Sequence, residues 1–89
     1  MMYYVYVLTN DDDKKYIGYT NDLRKRVEEH KAGKSRYTKG YSNWKLCYYE
    51  AFISKEDALK REKSLKKSGQ SRRWLKDRIR KSIELCRRS

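Results

Sequence analysis

Residues 2–9, Met2-Tyr3-Tyr4-Val5-Tyr6-Val7-Leu8-Thr9, are dominated by β-branched and aromatic side chains. Such a run reads as a strand, and because it is apolar on both faces it belongs at the centre of a sheet rather than at its edge. Asn10-Asp11-Asp12-Asp13 is a turn cluster, and Lys15-Tyr16-Ile17-Gly18-Tyr19-Thr20 reads as the antiparallel return strand. Three successive Asp could suggest a cation site, but the loop lacks the further ligands and spacing of an EF-hand. The turn reading is therefore taken. Thr20 or Asn21 can cap a helix from about Asp22 to Lys31, with Asp22 favourably placed near its N-terminus. Leu23 and Val27 mark its buried stripe, and Ala32-Gly33 ends it. Residues 33–43 form a basic loop containing Tyr and lacking any period; a loop that long in a compact domain is usually functional or mobile.

Leu46 to Phe52 gives a third strand, and Ser54-Lys55-Glu56-Asp57 starts a second helix with Ser54 as N-cap. That helix runs to about Lys67, where Ser68-Gly69-Gln70-Ser71 breaks it. A last helix from about Arg72 carries Leu75, Ile79, Ile83 and Cys86 on one face, with residues 87–89 as a frayed tail. The order β-β-α-β-α-α is α+β: a small three-stranded antiparallel sheet flanked by helices. One domain spans 1–89, with its core over about 2–80 and a basic C-terminal helix to 86.

The chain has 89 residues, 37% of them hydrophobic and 40% charged, so the core is small. A chain of this size buries only about 60–70% of its unfolded surface. Length alone excludes a Rossmann domain, a TIM barrel or any two-domain enzyme. No apolar run approaches the ~20 residues of a membrane span, and no signal-peptide h-region is found. The expectation is a soluble, cytoplasmic chain without a membrane partner. Cys47 and Cys86 form no CxxC or Cys/His spacing, and with one His they fall short of a structural zinc set. They read as two buried thiols rather than a disulfide.

Charge narrows the partner. Lys and Arg number 24 against 12 Asp and Glu, a net charge of +12. The excess is lopsided: residues 1–30 hold five basic and six acidic residues, and the other 19 basic residues lie in 31–89. A polyanion is implied, with nucleic acid ahead of a membrane surface. Lys34, Arg36 and Lys39 in the long loop, with Arg72 and Arg73 near the last helix, are the candidate phosphate contacts. Nine Tyr and two Trp argue for a packed domain rather than disorder.

Three polar side chains fall where apolar ones are expected. On the second helix, Glu62 lies about 40° from Ala58, in the middle of a stripe formed with Leu59 and Leu65. Either its stem lies on the core while its head reaches water, or the carboxylate is held by a cation, a metal or strong donors. On the first helix, Arg26 and His30 are i,i+4 neighbours flanking Leu23 and Val27. His30 reads either as a core-edge residue bonded to a carbonyl or as part of a site. Tyr4 and Tyr6 share a strand face, and Tyr16 and Tyr19 lie on the return strand. Together these supply phenols for proton handling, a guanidinium for a phosphate and a carboxylate for a hard cation.

The same residues resemble the GIY-YIG endonuclease domain, in its small stand-alone form. Tyr4-Val5-Tyr6 stands where the family has its GIY triplet, and Tyr16-Ile17-Gly18 is the YIG triplet. Arg26 follows in the first helix and Glu62 in Ala58-Leu59-Lys60-Arg61-Glu62, so the resemblance covers about residues 2–80. It implies metal-dependent hydrolysis of a DNA phosphodiester, in a setting such as repair or recombination. By that resemblance Glu62 would hold Mg²⁺ or Mn²⁺, Tyr6 would be the general base, and Tyr16 would hydrogen-bond in the same site. Arg26 would neutralise charge on the phosphorus centre and His30 would assist or position. The metal and Arg26 would have to lower the Tyr6 pKa, because a free phenol near 10 is a poor base at pH 7. The partner implied is DNA, with RNA left open and no small-molecule cofactor. The alternative from a different class is a non-catalytic nucleic-acid-binding module keeping the same fold. A ribosome-associated basic protein would account for the charge but not for Glu62.

Overall fold

The first strand is the centre of the sheet, as its two apolar faces require. In the computed structural model, which describes residues 1–35, 38, 40 and 43–88, β1 (Tyr3–Thr9) lies between β2 (Lys15–Thr20) and β3 (Lys45–Phe52). Both pairings are antiparallel and set Tyr6 opposite Gly18 on one side and Tyr49 on the other. Between Val7 and Leu8 the register with β3 slips, and Cys47 is the extra residue of the bulge. Asn10 closes the β1–β2 turn: its Oδ1 accepts from the Asp12 and Lys14 backbone N–H groups at 3.0 and 2.9 Å.

Alternation along β1 divides the core into two layers. Tyr6 and Leu8 point to one face, where Trp44, Tyr16, Leu46 and, from α1 (Leu23–Lys31), Leu23 and Val27 cover them. Val5 and Val7 point to the other, against Ala58 and Leu65 of α2 (Lys55–Lys67), Leu75 of α3 (Gly69–Arg78), Ile79, and Ile83 of α4 (Arg80–Arg88). The α+β architecture stands as expected.

Local details depart from the sequence reading. Asp22 caps α1, accepting from the Lys25 N–H at 3.2 Å, while the Thr20 hydroxyl shapes the preceding turn by accepting from the Asp22 N–H. Ser54 caps α2 as expected, its Oγ accepting from the Asp57 N–H at 3.1 Å. Ser68 alone interrupts the next helix: it ends α2 and caps α3 by accepting from the Ser71 N–H at 3.1 Å. Residues 69–71 are therefore the first turn of α3, not a linker. The expected last helix is two, parted at Ile79 (φ −109°, ψ 20°), so the order gains a third consecutive helix. No Gly or Pro marks the break. Leu75, Ile79 and Ile83 all remain buried, and the bend turns α4 along β3, where Cys86 donates to the Leu46 carbonyl at 3.6 Å. Both cysteines are half-buried, and α4 runs through Arg88. Leu59 is 41% exposed, so the buried stripe of α2 narrows to Ala58 and Leu65.

One polar staple fixes α2 to the sheet. Arg61 grips Glu50 of β3 through Nε and Nη2, both at 2.9 Å, and the Tyr48 hydroxyl donates to the same carboxylate at 2.7 Å. These donors overcome the burial of Glu50 and hold its carboxyl below the usual carboxylate range. A folded-state pKa depressed in this way gives stability that is complete above the unfolded value and lost as pH falls through the folded one.

Candidate active site

The α1 side of the sheet holds a buried polar cluster. Tyr6 is fully buried, and its ring can lie across β2 only because Gly18, its cross-strand partner, has no side chain. A Cβ on Gly18 would collide with the Tyr6 hydroxyl and come within 2.8 Å of Tyr16 Cε2. From α1, His30 is also buried and its Nε2 lies 2.8 Å from the Tyr6 hydroxyl. His30 Nδ1 lies 2.9 Å from Thr38 Oγ1, and the Thr38 carbonyl accepts from the Trp44 indole at 3.1 Å. The Tyr16 ring packs on the imidazole with centroids 4.7 Å apart. Arg26, one turn before His30, is about a third exposed and bonds Glu29 at 3.0 Å.

The electrostatics give each group a resting state. Burial raises the Tyr6 phenol above its ordinary range; Arg26 favours its ionisation, as expected, but is outweighed. His30 is lowered to about 4, first by burial and then by the Arg26 charge, so it is neutral near pH 7. A neutral imidazole donates from one nitrogen and accepts at the other. Tyr6 O–H donating to Nε2 and Nδ1–H donating to Thr38 is one consistent assignment of the chain; the reverse direction is the other. Because His30 titrates near 6.5 when unfolded and about 4 when folded, the unfolded chain binds the extra proton between those values. Stability should thus fall by about 3 kcal/mol as pH drops through that window, with a shallower fall in His30→Gln. Urea unfolding across pH 4–7 measures it; equal slopes in the two proteins would contradict the assigned burial.

Glu62 arrives from the opposite layer. Its helix, α2, covers the sheet face opposite to α1, and the link from Glu62 to the cluster runs through Lys66. Glu62 Oε2 lies 3.2 Å from Lys66 Nζ, and that ammonium sits 5.6 Å from the Tyr16 ring centroid. Tyr6, Tyr16, Arg26 and His30 are in mutual reach, and Lys66 links Glu62 to their outer side. Among the described residues no three His, Cys, Asp or Glu side chains group as a metal cage. A single carboxylate still suits Mg²⁺, which commonly binds one or two carboxylates and completes its shell with water and substrate phosphate.

The candidate phosphate contacts scatter. Arg73 is exposed on α3, and Lys34 is exposed after α1. Arg72 is engaged in capping α2, donating to the Leu65 and Lys66 carbonyls at 2.9 and 2.6 Å. Arg36 and Lys39 lie outside the described residues. Sequence reasoning missed Thr38 and Lys66. Lys66 could have been found from its i,i+4 spacing to Glu62; nothing local marks Thr38.

The fold, a three-stranded antiparallel sheet flanked by helices, is that of a nuclease-family domain. The chain belongs to the GIY-YIG family: the GIY-YIG catalytic domain matches residues 2–77. It is 48% identical over 65 residues to a UPF0213 protein of Streptococcus pyogenes serotype M5, covering 72% of this chain and 71% of that one. A UPF0213 protein of Haloquadratum walsbyi is 40% identical over 65 residues, covering 72% and 73%. The solution NMR structure of a UPF0213 protein of Bacillus halodurans superposes with a TM-score of 0.54 at 38% identity, over 84% of this chain and 82% of that one.

Proposed function

We propose that this protein is a divalent-metal-dependent endonuclease that hydrolyses DNA phosphodiester bonds. The observation that carries the reading is the buried Tyr6–His30 bond at 2.8 Å beside Arg26, over a glycine that makes room for it. In so small a core, burying a phenol, an imidazole and Thr38 serves proton transfer better than packing. Mg²⁺ or Mn²⁺, held by Glu62 once Lys66 releases it, would supply positive charge to a phosphate oxygen.

The chain's own groups divide the remaining work. Arg26 and Tyr16 flank the enclosed Tyr6 hydroxyl, so they meet the phosphate first. A phosphate on Arg26 offsets the smaller, charge-derived part of the His30 shift and so raises its basicity, while burial still lowers it. Tyr6 then accepts the proton of the attacking water while passing its own to His30 Nε2, with Thr38 steadying Nδ1. The guanidinium stabilises charge growing on the phosphoryl oxygens.

The non-catalytic alternative draws on one observation, the full enclosure of Tyr6. Incubation with supercoiled, branched and single-stranded DNA, with and without Mg²⁺ or Mn²⁺, separates the two. Metal-dependent cleavage is expected, and Arg26→Ala should remove it while weakening binding only modestly. Binding without cleavage of any substrate would establish the alternative.

A further inference from the structure

Behind the candidate site, an open groove of about 810 Å³ runs between β2 and the α3–α4 layer. Its floor is apolar: Val7, Ile17, Leu75 and Ile79. Its rim is cationic: Lys15, Lys66, Arg73 and Lys76. Among the described residues no carboxylate lines it, although Lys15 pairs with Asp13 at 3.0 Å. Two lining residues belong equally to the site: Tyr16 packs on His30, and Lys66 pairs with Glu62. Arg73 and Lys76 form no ion pair among the described residues, so their charges are available to a ligand.

We infer that this groove holds an unpaired stretch of the DNA strand next to the scissile phosphate, with phosphates on the rim and bases against the floor. The inference deepens the endonuclease reading and rests on it. Charge complementarity selects a polyanion, and the apolar floor selects one with flat, weakly polar parts. A duplex presents a charged cylinder whose grooves receive protein elements, so its paired bases cannot reach a recessed floor. An unpaired strand can turn its bases inward and keep its phosphates out. Rim charge alone would instead favour the duplex, whose higher charge density releases more counterions per phosphate neutralised. A preference for single strands is therefore diagnostic of the floor.

The test is fluorescence anisotropy in EDTA with three probes: a 12-nucleotide oligo-dT, a 12-base-pair duplex and an abasic strand of equal length. Oligo-dT should bind at least tenfold more tightly than either of the others. Arg73→Glu with Lys76→Glu should weaken oligo-dT at least tenfold. The same charge change at Lys60 and Lys63, exposed on α2 and away from the groove, should weaken it less than threefold. Equal affinity for duplex or for the abasic strand, or equal effects of the two charge changes, would overturn the inference. None of those results touches metal-dependent cleavage by the wild type, which is scored separately. Conversely, absence of cleavage with the single-strand preference intact would remove the catalytic reading and leave the groove.

Discussion

Glu62→Gln should reduce cleavage at least a hundredfold, to background in a plasmid-nicking assay, while leaving the protein folded. The substitution keeps the side chain's volume and removes the charge proposed to hold the metal. Its structural consequence is small: the lost Glu62–Lys66 pair is a partly exposed i,i+4 contact at 3.2 Å, and such pairs contribute only about 0.3–0.5 kcal/mol. Melting should be nearly unchanged, which makes the kinetic result interpretable. DNA binding in EDTA should persist or tighten, because a negative charge beside the phosphate path has gone and Lys66 is released. If Glu62→Gln cuts as fast as the wild type, the metal-ligand role is wrong and the activity has another source.

Some of this was legible in the chain because it depends on nearest neighbours and period. An octet apolar on both faces had to be central, and β1 is. Ser54 could be named as a cap from four residues, since capping is local. Arg26 and His30 could be placed together from their i,i+4 spacing alone. The failures have tertiary causes. Thr20 was a chemically sound cap, but the turn that positions α1 uses its hydroxyl on Asp22 and leaves Asp22 to cap. The break at Ile79 has no local signal because it follows the course of the sheet beneath it. Leu59 sits at the edge of the apolar stripe on a helical wheel, and in the structure it is 41% exposed while Arg61 on the same helix bonds Glu50. Glu62 is 22% exposed and pairs with Lys66, a partner that only the i,i+4 spacing indicates.

The site divides in the same way. Its tyrosines, Arg26 and His30 follow from strand and helix periods, whereas Thr38 comes from a loop without one and is brought to His30 by Trp44. The pKa expectation also needed the fold. Arg26 does act on Tyr6 in the expected direction, but the same enclosure that creates the Tyr6–His30 bond raises the phenol more strongly. The pair is therefore a protonated phenol against a neutral imidazole near pH 7. In the proposed mechanism, activation comes with the substrate, whose phosphate offsets the Arg26 share of the His30 shift.

Gly18→Ala should be the most damaging single methyl in the molecule. The added Cβ would fall on the Tyr6 ring, 2.5 Å from Cζ, and 2.8 Å from Tyr16 Cε2. Neither neighbour can give way as a flexible chain end would. Tyr6 is held by His30 and by burial on a central strand, and Tyr16 by packing on the same imidazole. Overpacking of this kind costs about 1–3 kcal/mol, and each kcal/mol lowers the melting temperature of a domain this size by about 4–8 °C. Cleavage should fall at least a hundredfold, because any shift that relieves the clash takes the Tyr6 hydroxyl off His30. Tyr6→Phe separates the two effects. It leaves the ring, removes the hydroxyl and so abolishes cleavage, at a stability cost of about 1–3 kcal/mol for the unpaired His30 nitrogen. Combining Tyr6→Phe with Gly18→Ala removes the atom the new methyl meets first. The double variant should therefore lose less stability than the sum of the singles, by more than about 0.5 kcal/mol in a double-mutant cycle. A Gly18→Ala protein that melts and cleaves like the wild type would show that Tyr6 does not lie across β2 as described, and the proton path through His30 would go with it.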